Sequence, residues 1–435
     1  MLKMGCAKSD ITPAWPTYIH GYASRNRLTD EVEENIEVGV IALEQNNKKS
    51  LIITVDMLGI EYPEILKINQ AIAERTGITY PNIMISASHT HFAPSPSGYT
   101  VYFKDGELPQ GCYPADEKFA AFFMKKILAA VDHALADMEE VQLLQADIPL
   151  SGVAFNRRTV RKEDGGVTTN YVYPPDPEKY NFSEIDTVLH VWKFMHGKAP
   201  KGVLARYGCH PVTGGYNFYG ISADYPGYFK QYVKEMLGCP AFFILGTAGD
   251  VVPMRRNGES RKDIGAMMAS SIRLAERTFR NTTDFELKTA TAPITLYSDQ
   301  LKGKTAAELD ATWEAELEKG KKLPNYTREF YMSGMLRSMF YEFNGAEGNV
   351  AIQLMQLGDR VLVGLPFEVL TIIGQKIRAA YPEAVIASCT GGYECYLPTA
   401  EDFPKGGYET DNGTIWNPDT GDRVIEAAIA ALKAF

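Results

Sequence analysis

Residues 81–91 read Pro-Asn-Ile-Met-Ile-Ser-Ala-Ser-His-Thr-His, and the fold prediction starts from this stretch. The run Pro81–Ser88 is mostly apolar and short enough for a buried β-strand, and polar side chains follow at its end. Because side chains two positions apart in an extended chain point to the same side, we expect His89 and His91 to face one cavity. Neutral imidazole is the commonest nitrogen ligand of zinc. The stretch therefore indicates a metal site at a strand end, with a pair of hydrogen-bonded loop histidines as the alternative.

Similar apolar runs alternate with helix-like stretches along the chain. The strand-like runs are Ile36–Leu43, Ser50–Met57, Pro81–Ser88, Thr187–Phe194, Val203–Tyr207, Ala241–Leu245, Val350–Leu357, Arg360–Val363 and Ala384–Ser388. The helix-like stretches are Pro63–Arg75, Lys118–Met138, Pro226–Met236, Asp263–Phe279, Ala306–Gly320, Glu329–Phe343, Val369–Ala380 and Arg423–Ala434. This alternation predicts an α/β (or α+β) fold in which mixed β-sheets are flanked by helices. Sites in such sheets form at the carboxyl ends of the strands.

Two further polar segments follow predicted strands in the middle of the chain. His210 lies in residues 206–211, Arg-Tyr-Gly-Cys-His-Pro, where a lone histidine is more often structural than a ligand. Asp250 lies in residues 246–253, Gly-Thr-Ala-Gly-Asp-Val-Val-Pro, whose glycines permit a tight turn and a close backbone approach. Such a segment offers backbone N–H groups to an oxyanion, or it is a turn that the aspartate stabilises.

Two more polar segments follow predicted strands near the end of the chain. Glu368 ends residues 364–368, Gly-Leu-Pro-Phe-Glu, and we expect a helix to begin near it. A carboxylate there gains from the helix dipole, and it is also suited to bind zinc. Tyr393 and Tyr396 follow the predicted strand Ala384–Ser388, where neighbouring tyrosines usually serve packing. Each of these signals is weak alone, and their shared position after apolar strands is what favours a site.

Composition limits the classes of function that fit the chain. The 435 residues are 45% hydrophobic and 23% charged, as in an ordinary globular protein. The net charge of −10 disfavours a nucleic-acid partner, because a phosphate backbone is repelled by the average field. No apolar run approaches the roughly 18 residues of a membrane span. We therefore expect no nucleic-acid partner and no transmembrane segment, while the oligomeric state stays open.

The cysteines and the N-terminal residues predict a cytoplasmic protein. Six scattered cysteines, without a CxxC pair, are typical of reduced thiols. The chain opens without an apolar signal core, although a removed leader would leave the same appearance. Two long polar insertions, 92–114 and 159–182, follow candidate site segments, and we expect them to form cleft walls or lids.

A longer set of motifs occurs in order along nearly the whole chain. It comprises Cys6–Pro13 with Asp-Ile-Thr-Pro, Asp56, Ser88–His91, Asn156-Arg157-Arg158, Cys209-His210-Pro211, Ala223–Gly227, Gly249-Asp250, Pro366-Phe367-Glu368 and Tyr396–Thr399. This ordered set resembles the neutral/alkaline ceramidase family, specifically its catalytic N-terminal domain. The resemblance implies a single ceramidase-like catalytic domain over residues 1–435.

The resemblance also implies a small-molecule amide or lipid-like substrate, a cofactor and a set of site residues. The implied cofactor is Zn²⁺, bound by His89, His210, Glu368 and Tyr396. His91, Arg157 and Asp250 are the expected catalytic residues, and Tyr393 and Tyr408 are the expected substrate-binding residues. A zinc-bound water would be the nucleophile. Arg157 would hold a substrate oxygen or the carboxylate product.

Two departures from the family pattern bear on the substrate. In ceramidases the Gly-Asp motif continues Val-Ser-Pro, and the serine is needed for activity, whereas this chain has Val252 at the corresponding position. The chain is also expected to be a bacterial-type homologue that lacks the family's C-terminal immunoglobulin-like domain. We therefore expect a zinc-dependent amidohydrolase that acts on linear N-acyl amides other than ceramide. A metal-dependent esterase or peptidase-like hydrolase, and a degenerate homologue that binds ligand without turnover, are the alternatives.

Overall fold

The computed structural model describes residues 1–22, 25, 27–96, 116–320 and 327–435. The strands are β1 (Lys3–Asp10), β2 (Glu37–Gln45), β3 (Lys48–Val55), β4 (Ile83–Ala87), β5 (Glu139–Glu140), β6 (Gln142–Pro149), β7 (Ala154–Asn156), β8 (Arg158–Arg161), β9 (Val167–Thr169), β10 (Tyr180–Asn181), β11 (Val188–His196), β12 (Ala199–Tyr207), β13 (Ala241–Leu245), β14 (Val251–Pro253), β15 (Arg280–Asn281), β16 (Thr289–Tyr297), β17 (Glu347–Leu357), β18 (Arg360–Gly364), β19 (Glu368–Val369), β20 (Ala384–Ala387) and β21 (Tyr396–Leu397). The helices are α1 (Tyr62–Thr76), α2 (Glu117–Ala136), α3 (Tyr225–Leu237), α4 (Gly258–Leu274), α5 (Ala306–Gly320), α6 (Arg328–Phe343), α7 (Thr371–Ala380), α8 (Tyr408–Asp411) and α9 (Thr420–Ala434).

Within the described residues, three larger sheets each contain one parallel strand pair among antiparallel neighbours. Their strand orders are β4-β3-β2-β1-β5, β13-β12-β11-β6-β15 and β16-β17-β18-β20. The parallel pairs are β3 with β4, β12 with β13 and β18 with β20. The predicted class, mixed sheets flanked by helices, is confirmed. Because the strands of each pair end level with one another, the residues that follow them emerge on one side.

The carboxyl ends of these three parallel pairs meet through backbone hydrogen bonds. Ser388, after β20, donates its N–H to the carbonyl of Leu245 at the end of β13, over 2.9 Å. Ala87, the last residue of β4, donates to the carbonyl of Cys389 over 3.0 Å. Three sheets that are far apart in sequence thereby deliver their strand-end residues to one place.

The interior of the molecule lies between and around the sheets. Side chains such as Ile52, Trp192, Phe242 and Leu362 form a cluster shared by the three sheets. Helices cover the outer faces, as α1 shows with its buried Ile65. Burial of a large apolar side chain stabilises a fold by about 1.5–3 kcal/mol, so this layer holds the strand ends in a rigid frame.

Several local predictions are corrected by the structure. The helix expected near Glu368 is α7, which begins three residues later at Thr371, and Glu368 itself lies in the short strand β19. The predicted helix Asp263–Phe279 is α4, which begins earlier because Asn257 and Ser260 cap each other reciprocally. The half-buried strands β1, β6 and β16 lack continuous apolar runs and were not predicted.

The two long polar insertions, which were predicted to form cleft walls or lids, differ in how far the structure describes them. The insertion 159–182 contains structure, because β8, β9 and β10 form a small three-stranded sheet in the order β10-β8-β9. Of the insertion 92–114, residues 97–114 lie outside the described residues. None of the described helices combines the length and the apolar character needed to cross a lipid bilayer.

Candidate metal centre

Two histidines converge just beyond β4. The N–H of His89 donates to the carbonyl of Met57 over 2.8 Å, which ties the turn to the strand beside it. His89 has a φ of 66°, in the left-handed region, so the chain here is not extended, contrary to the prediction. The turn still brings His89 and His91 together, with their Nε2 atoms 3.3 Å apart and their rings buried.

Three other segments bring His210, Glu368 and Tyr396 to the same point. His210 follows β12, and its N–H donates to the carbonyl of Val251 over 2.9 Å. Glu368 in β19 pairs directly with Tyr396 in β21 in a parallel register, so the two side chains start from adjacent positions. Burial, and then the nearby Glu368 carboxylate against the opposing effect of Arg157, hold the pKa of the Tyr396 phenol well above its ordinary value. The strand-end residues predicted as metal ligands thus lie together.

Backbone carbonyls fix the tautomers of the two central imidazoles. The Nδ1 atom of His89 lies 2.7 Å from the carbonyl oxygen of Leu58. The Nδ1 atom of His210 contacts the carbonyl oxygens of Ala248 and Val251. A carbonyl only accepts, so each Nδ1 carries the proton. The Nε2 atom of each neutral ring therefore presents a lone pair, which is the form that binds a metal.

These lone pairs face each other around one point. The Nε2 atoms of His89 and His210 are 3.2 Å apart, and the Glu368 Oε2 atom lies 3.0 Å from His210 Nε2 and 3.2 Å from His89 Nε2. One ligand nitrogen from each of His89, His91 and His210 lies within 4.8 Å of the others. Buried acceptors that converge repel one another unless a cation lies between them. The donor set, imidazole nitrogens with a carboxylate oxygen, fits a zinc-like ion.

The pKa shifts of the three histidines and of Glu368 reflect their burial and their mutual interactions. Burial lowers the pKa of His89, but the Glu368 carboxylate outweighs it and raises the pKa well above the ordinary value. Burial raises the pKa of Glu368, but His89 and His210 outweigh it and hold the pKa well below the ordinary value. Burial lowers the pKa of His210 to about 4 and that of His91 well below the usual range. Without an ion, one proton on His89 is the charge that offsets the buried carboxylate.

Glu368 and Tyr396 have further partners on the side away from the histidines. The Tyr393 hydroxyl donates to Glu368 Oε1 over 2.6 Å. Arg157 donates from Nη2 to the Tyr396 hydroxyl over 3.0 Å, and its guanidinium lies 5.7 Å from the centre of the Tyr408 ring. Tyr393, Arg157 and Tyr408 thus surround the carboxylate and phenol of the site.

Asp250 lies close to this group through its backbone. Its carbonyl oxygen accepts a hydrogen bond from the N–H of Arg157 over 2.7 Å. Its carboxylate accepts from the Asn156 amide over 2.7 Å and from the N–H and hydroxyl of Thr371 over 2.8 Å each. These bonds anchor the start of α7 to the turn after β13. A catalytic role for Asp250 stays a prediction.

Comparison with known proteins identifies a family and a curated relative that are similar to this chain. Residues 2–239, more than half of the chain, match the family described as neutral/alkaline non-lysosomal ceramidase, N-terminal. The chain belongs to this ceramidase family. The neutral ceramidase of Mycobacterium tuberculosis (strain ATCC 25618 / H37Rv) is 23% identical over 245 residues, which are 55% of this chain. The matched segment spans 36% of that relative, so the relative is much longer.

Solved ceramidase structures share the fold. The crystal structure of neutral ceramidase from Pseudomonas aeruginosa superposes with a TM-score of 0.71 at 17% identity, over 100% of this chain and 75% of that one. A ceramidase complexed with C2 superposes with a TM-score of 0.75 at 17% identity, over 100% of this chain and 76% of that one. The family predicted from the ordered motifs is confirmed, and so is the fold class.

The ceramidase-family match covers part of the site. His89, His91, Arg157 and His210 lie inside residues 2–239, whereas the remaining predicted site residues lie beyond them. Those remaining residues are Asp250, Glu368, Tyr393, Tyr396 and Tyr408. Their place in the site stays a prediction, which the contacts described above support.

Val252 occupies an apolar setting beside this ceramidase-like centre. It lies in β14, fully buried, in a small cluster with Phe155 and Val212 against which Tyr22 packs. The Tyr22 ring lies 4.9 Å from the ring of His91. The side chain at position 252 therefore contributes to an apolar wall next to the histidines, where it offers no hydroxyl.

Glu409 is a buried residue of the site that the sequence argument missed. It lies next to Tyr408 in α8 and accepts a hydrogen bond from Arg157 Nε over 2.7 Å. No apolar strand precedes this segment, so the pattern that identified the other residues was absent. Its adjacency to Tyr408 was the one local signal.

Proposed function

We propose that this chain is a zinc-dependent amidohydrolase that cleaves linear N-acyl amides. The observation that carries the proposal is the convergence of His89 Nε2, His210 Nε2 and Glu368 Oε2 within 3.0–3.2 Å of one another. The proposed ligands are His89, His210, Glu368 and Tyr396. Membership of a family named for ceramidases supports an amide bond as the bond that is cleaved. Residues 1–435 are proposed to act as one catalytic domain.

A zinc ion held by these residues would lower the pKa of a bound water and polarise the substrate carbonyl. The residues of the chain prepare the site for this chemistry. The carbonyls of Leu58 and Ala248 hold His89 and His210 in the metal-binding tautomer. The Tyr393 hydroxyl orients the Glu368 carboxylate.

His91 is the proposed proton carrier. Its Nε2 lies 3.3 Å from that of His89, next to the metal-binding point. Burial, and then His89 and His210, lower the pKa of His91 well below the ordinary value, so the ring is neutral and readily passes on any proton that it accepts. Among the described residues, its buried Nδ1 has no hydrogen-bond partner, and Gly21 packs against the ring beside that nitrogen.

The proposed substrate is a small or polar N-acyl compound, such as a sugar amide. This choice is supported by Val252, because a valine cannot supply the hydroxyl that ceramidases have at the corresponding position. Arg157, Tyr393 and Tyr408 are proposed to line the substrate side of the centre. Cytoplasmic location is also part of the proposal, and it accords with the free thiols of the described cysteines.

Val252 is also the observation that favours a second candidate, a homologue that binds ligand without turnover. The buried apolar surroundings of Val252 are compatible with a site that has lost a catalytic hydroxyl. Restoration of turnover by Val252→Ser, in a protein that binds zinc but hydrolyses nothing, would favour this second candidate.

The test is turnover of a substrate panel together with metal analysis. The panel contrasts N-acyl amides with matched esters, each assayed with wild type, His89→Ala and the control His133→Ala. His133 is an exposed histidine on α2, far in sequence from the centre. We expect about one zinc per chain and amide hydrolysis in wild type and control, with both lost in His89→Ala.

The other outcomes distinguish the alternatives. Hydrolysis of esters alone would favour the esterase. Zinc binding without hydrolysis of any substrate would favour the binding protein. Full zinc content and full activity in His89→Ala would overturn the metal centre itself.

A further inference from the structure

A buried ionic group supports the Tyr396 side of the centre. Glu409 has 0% exposed surface, and its carboxylate accepts hydrogen bonds from Arg157 Nε over 2.7 Å and Arg158 Nη1 over 2.9 Å. The Thr169 hydroxyl donates to the same carboxylate over 3.3 Å. Two guanidinium groups on consecutive residues thus share one carboxylate. Such charge-assisted bonds are stronger and more directional than neutral ones.

Arg157 connects this carboxylate to the phenol of Tyr396. Its main chain is held on both sides, because its N–H donates to the Asp250 carbonyl over 2.7 Å and its own carbonyl accepts from Asn170 over 2.8 Å. With the backbone fixed, the remaining freedom is the direction of the guanidinium. Glu409 sets that direction at Nε, and Nη2 then donates to the Tyr396 hydroxyl over 3.0 Å.

The segment that contains Glu409 also holds the backbone and ring of Tyr396. The N–H of Tyr396 donates to the carbonyl of Gly413 over 3.0 Å. A Cβ atom at Gly413 would lie 2.6 Å from the Tyr396 ring, so this close packing requires glycine. One short segment, 408–413, therefore fixes the tyrosine at its backbone, its ring and, through Arg157, its hydroxyl.

We propose that Glu409 is a positioning residue which, through Arg157, holds the Tyr396 hydroxyl where it binds the metal. The inference rests on the proposed function, since it takes Tyr396 as a metal ligand. Glu409 acts without touching the metal. Because a carboxylate-to-amide change keeps the shape and removes the charge, Glu409→Gln weakens the hold on Arg157 and leaves the tyrosine hydroxyl less constrained. Loss of such an outer partner typically lowers metal affinity about 10–100-fold.

The test loads the metal-free protein with Cu²⁺ and records the visible phenolate-to-copper charge-transfer band. This band reports the bond between tyrosine oxygen and metal, independently of turnover. Wild type is compared with Glu409→Gln, Glu409→Asp and Tyr396→Phe. The control is Glu401→Gln, which removes an exposed carboxylate from a nearby segment. Zinc affinity is measured on the same proteins by competition with a chromophoric chelator.

We expect the band in wild type and Glu401→Gln, its absence in Tyr396→Phe and loss of most of its intensity in Glu409→Gln. Glu409→Asp, which keeps the negative charge, is expected to retain more of the band than Glu409→Gln. An unchanged band and unchanged zinc affinity in Glu409→Gln would overturn the positioning role. A wild-type protein that binds copper without the band would instead remove Tyr396 from the ligands of the proposed centre.

Arg157→Lys is the second variant, in case Glu409→Gln does not fold. It keeps one positive charge but cannot donate in two directions as a guanidinium does. We expect it to lose the band, and a folded Arg157→Lys protein with the wild-type band would equally overturn the inference.

Discussion

Two buried polar groups, one built on β12 and one just beyond its end, differ in how their charges are balanced. Inside the strand, the guanidinium of Arg206 lies with that of Arg378 against the single carboxylate of Asp186. Beyond the strand, His210 lies with His89 against the carboxylate of Glu368. Arg206 and His210 are both essentially inaccessible to solvent. One group pairs permanent cations with an anion, and the other brings lone pairs and an anion to one point.

The difference shows which group is structural and which one binds a ligand. The pair of arginines and the aspartate attract one another, and Arg206 also donates from Nε to the Ile386 carbonyl over 2.8 Å. Both guanidinium groups have their counter-charge within the folded chain, although among the described residues Arg206 Nη2 is buried without a hydrogen-bond partner. The imidazoles beyond β12 have their Nδ1 protons committed to carbonyls, so their free nitrogens need a cation. Burial is common to both groups and therefore does not separate them.

The largest expected effect follows from Glu368→Gln. The amide keeps the shape of the carboxylate but removes the charge that binds the ion. Loss of an outer partner typically lowers metal affinity about 10–100-fold. Because Glu368 is a proposed ligand itself, we expect a larger fall in zinc affinity and in hydrolytic activity. Zinc per chain and turnover are the measurements.

The stability of metal-free Glu368→Gln tests whether the metal-binding group contributes to folding as the Asp186 group does. In the metal-free wild type one proton on His89 offsets the carboxylate, and the Glu368→Gln variant lacks both charges. We therefore expect the metal-free variant to lose much less folding stability than the Asp186→Asn variant does. Urea denaturation in the presence of a chelator measures this. A large loss of stability in metal-free Glu368→Gln would show that the carboxylate is structural, like that of Asp186.

Asp186→Asn is the matched change in the structural group. Removing the carboxylate leaves the buried Arg206 and the half-buried Arg378 without their counter-charge. Breaking a buried pair in this way costs about 3–5 kcal/mol of folding stability. We expect the free energy of unfolding to fall by that amount while zinc content stays at the wild-type value. Loss of zinc without loss of stability would reverse the assignment of the two groups.

Acidification should reduce the difference in folding stability between wild type and Asp186→Asn. Burial raises the pKa of Asp186, but Arg206 and Arg378 outweigh it and hold the pKa below the ordinary aspartate value. A group with a depressed folded-state pKa contributes its full stability above the unfolded value of about 3.9 and loses it as the pH falls through the folded one. The gap between wild type and Asp186→Asn should therefore be constant near neutral pH and narrow below about pH 4. Urea denaturation of the metal-free proteins across this range is the measurement.

The sequence predicted the strand-end residues but not the contacts that complete them. His89, His210 and Glu368 each follow an apolar strand, and such strands are recognisable because they are buried on both faces. The carbonyl partners Leu58 and Ala248 carry no signal in their side chains, since any residue supplies a carbonyl. Their role becomes visible when the three sheets meet.

There is also a physical reason why some strands and site residues were not predicted from the sequence. Strands β1 and β16 have polar residues at half-exposed positions, so their apolar period is interrupted. Glu409 follows two glycines and a tyrosine in a four-residue helix, where no periodic pattern exists. Residues held by ion pairs with distant segments, such as Arg157 and Arg158, are found by three-dimensional contacts alone.

The smallest effect is expected from Tyr393→Phe, which removes one hydroxyl from the outer side of the centre. That hydroxyl donates to Glu368 Oε1 over 2.6 Å, while Glu368 Oε2 faces the histidines. Without the donor the carboxylate gains rotational freedom, and we expect zinc affinity to fall about tenfold, at the low end for an outer partner. Chelator competition measures the affinity, with Tyr341→Phe, an exposed tyrosine on α6, as control. Zinc affinity equal to wild type in Tyr393→Phe would mean that β19 and β21 hold the carboxylate without the tyrosine hydroxyl. The metal-binding group would then resemble the Arg206 group, because neither would need a further hydrogen-bond donor.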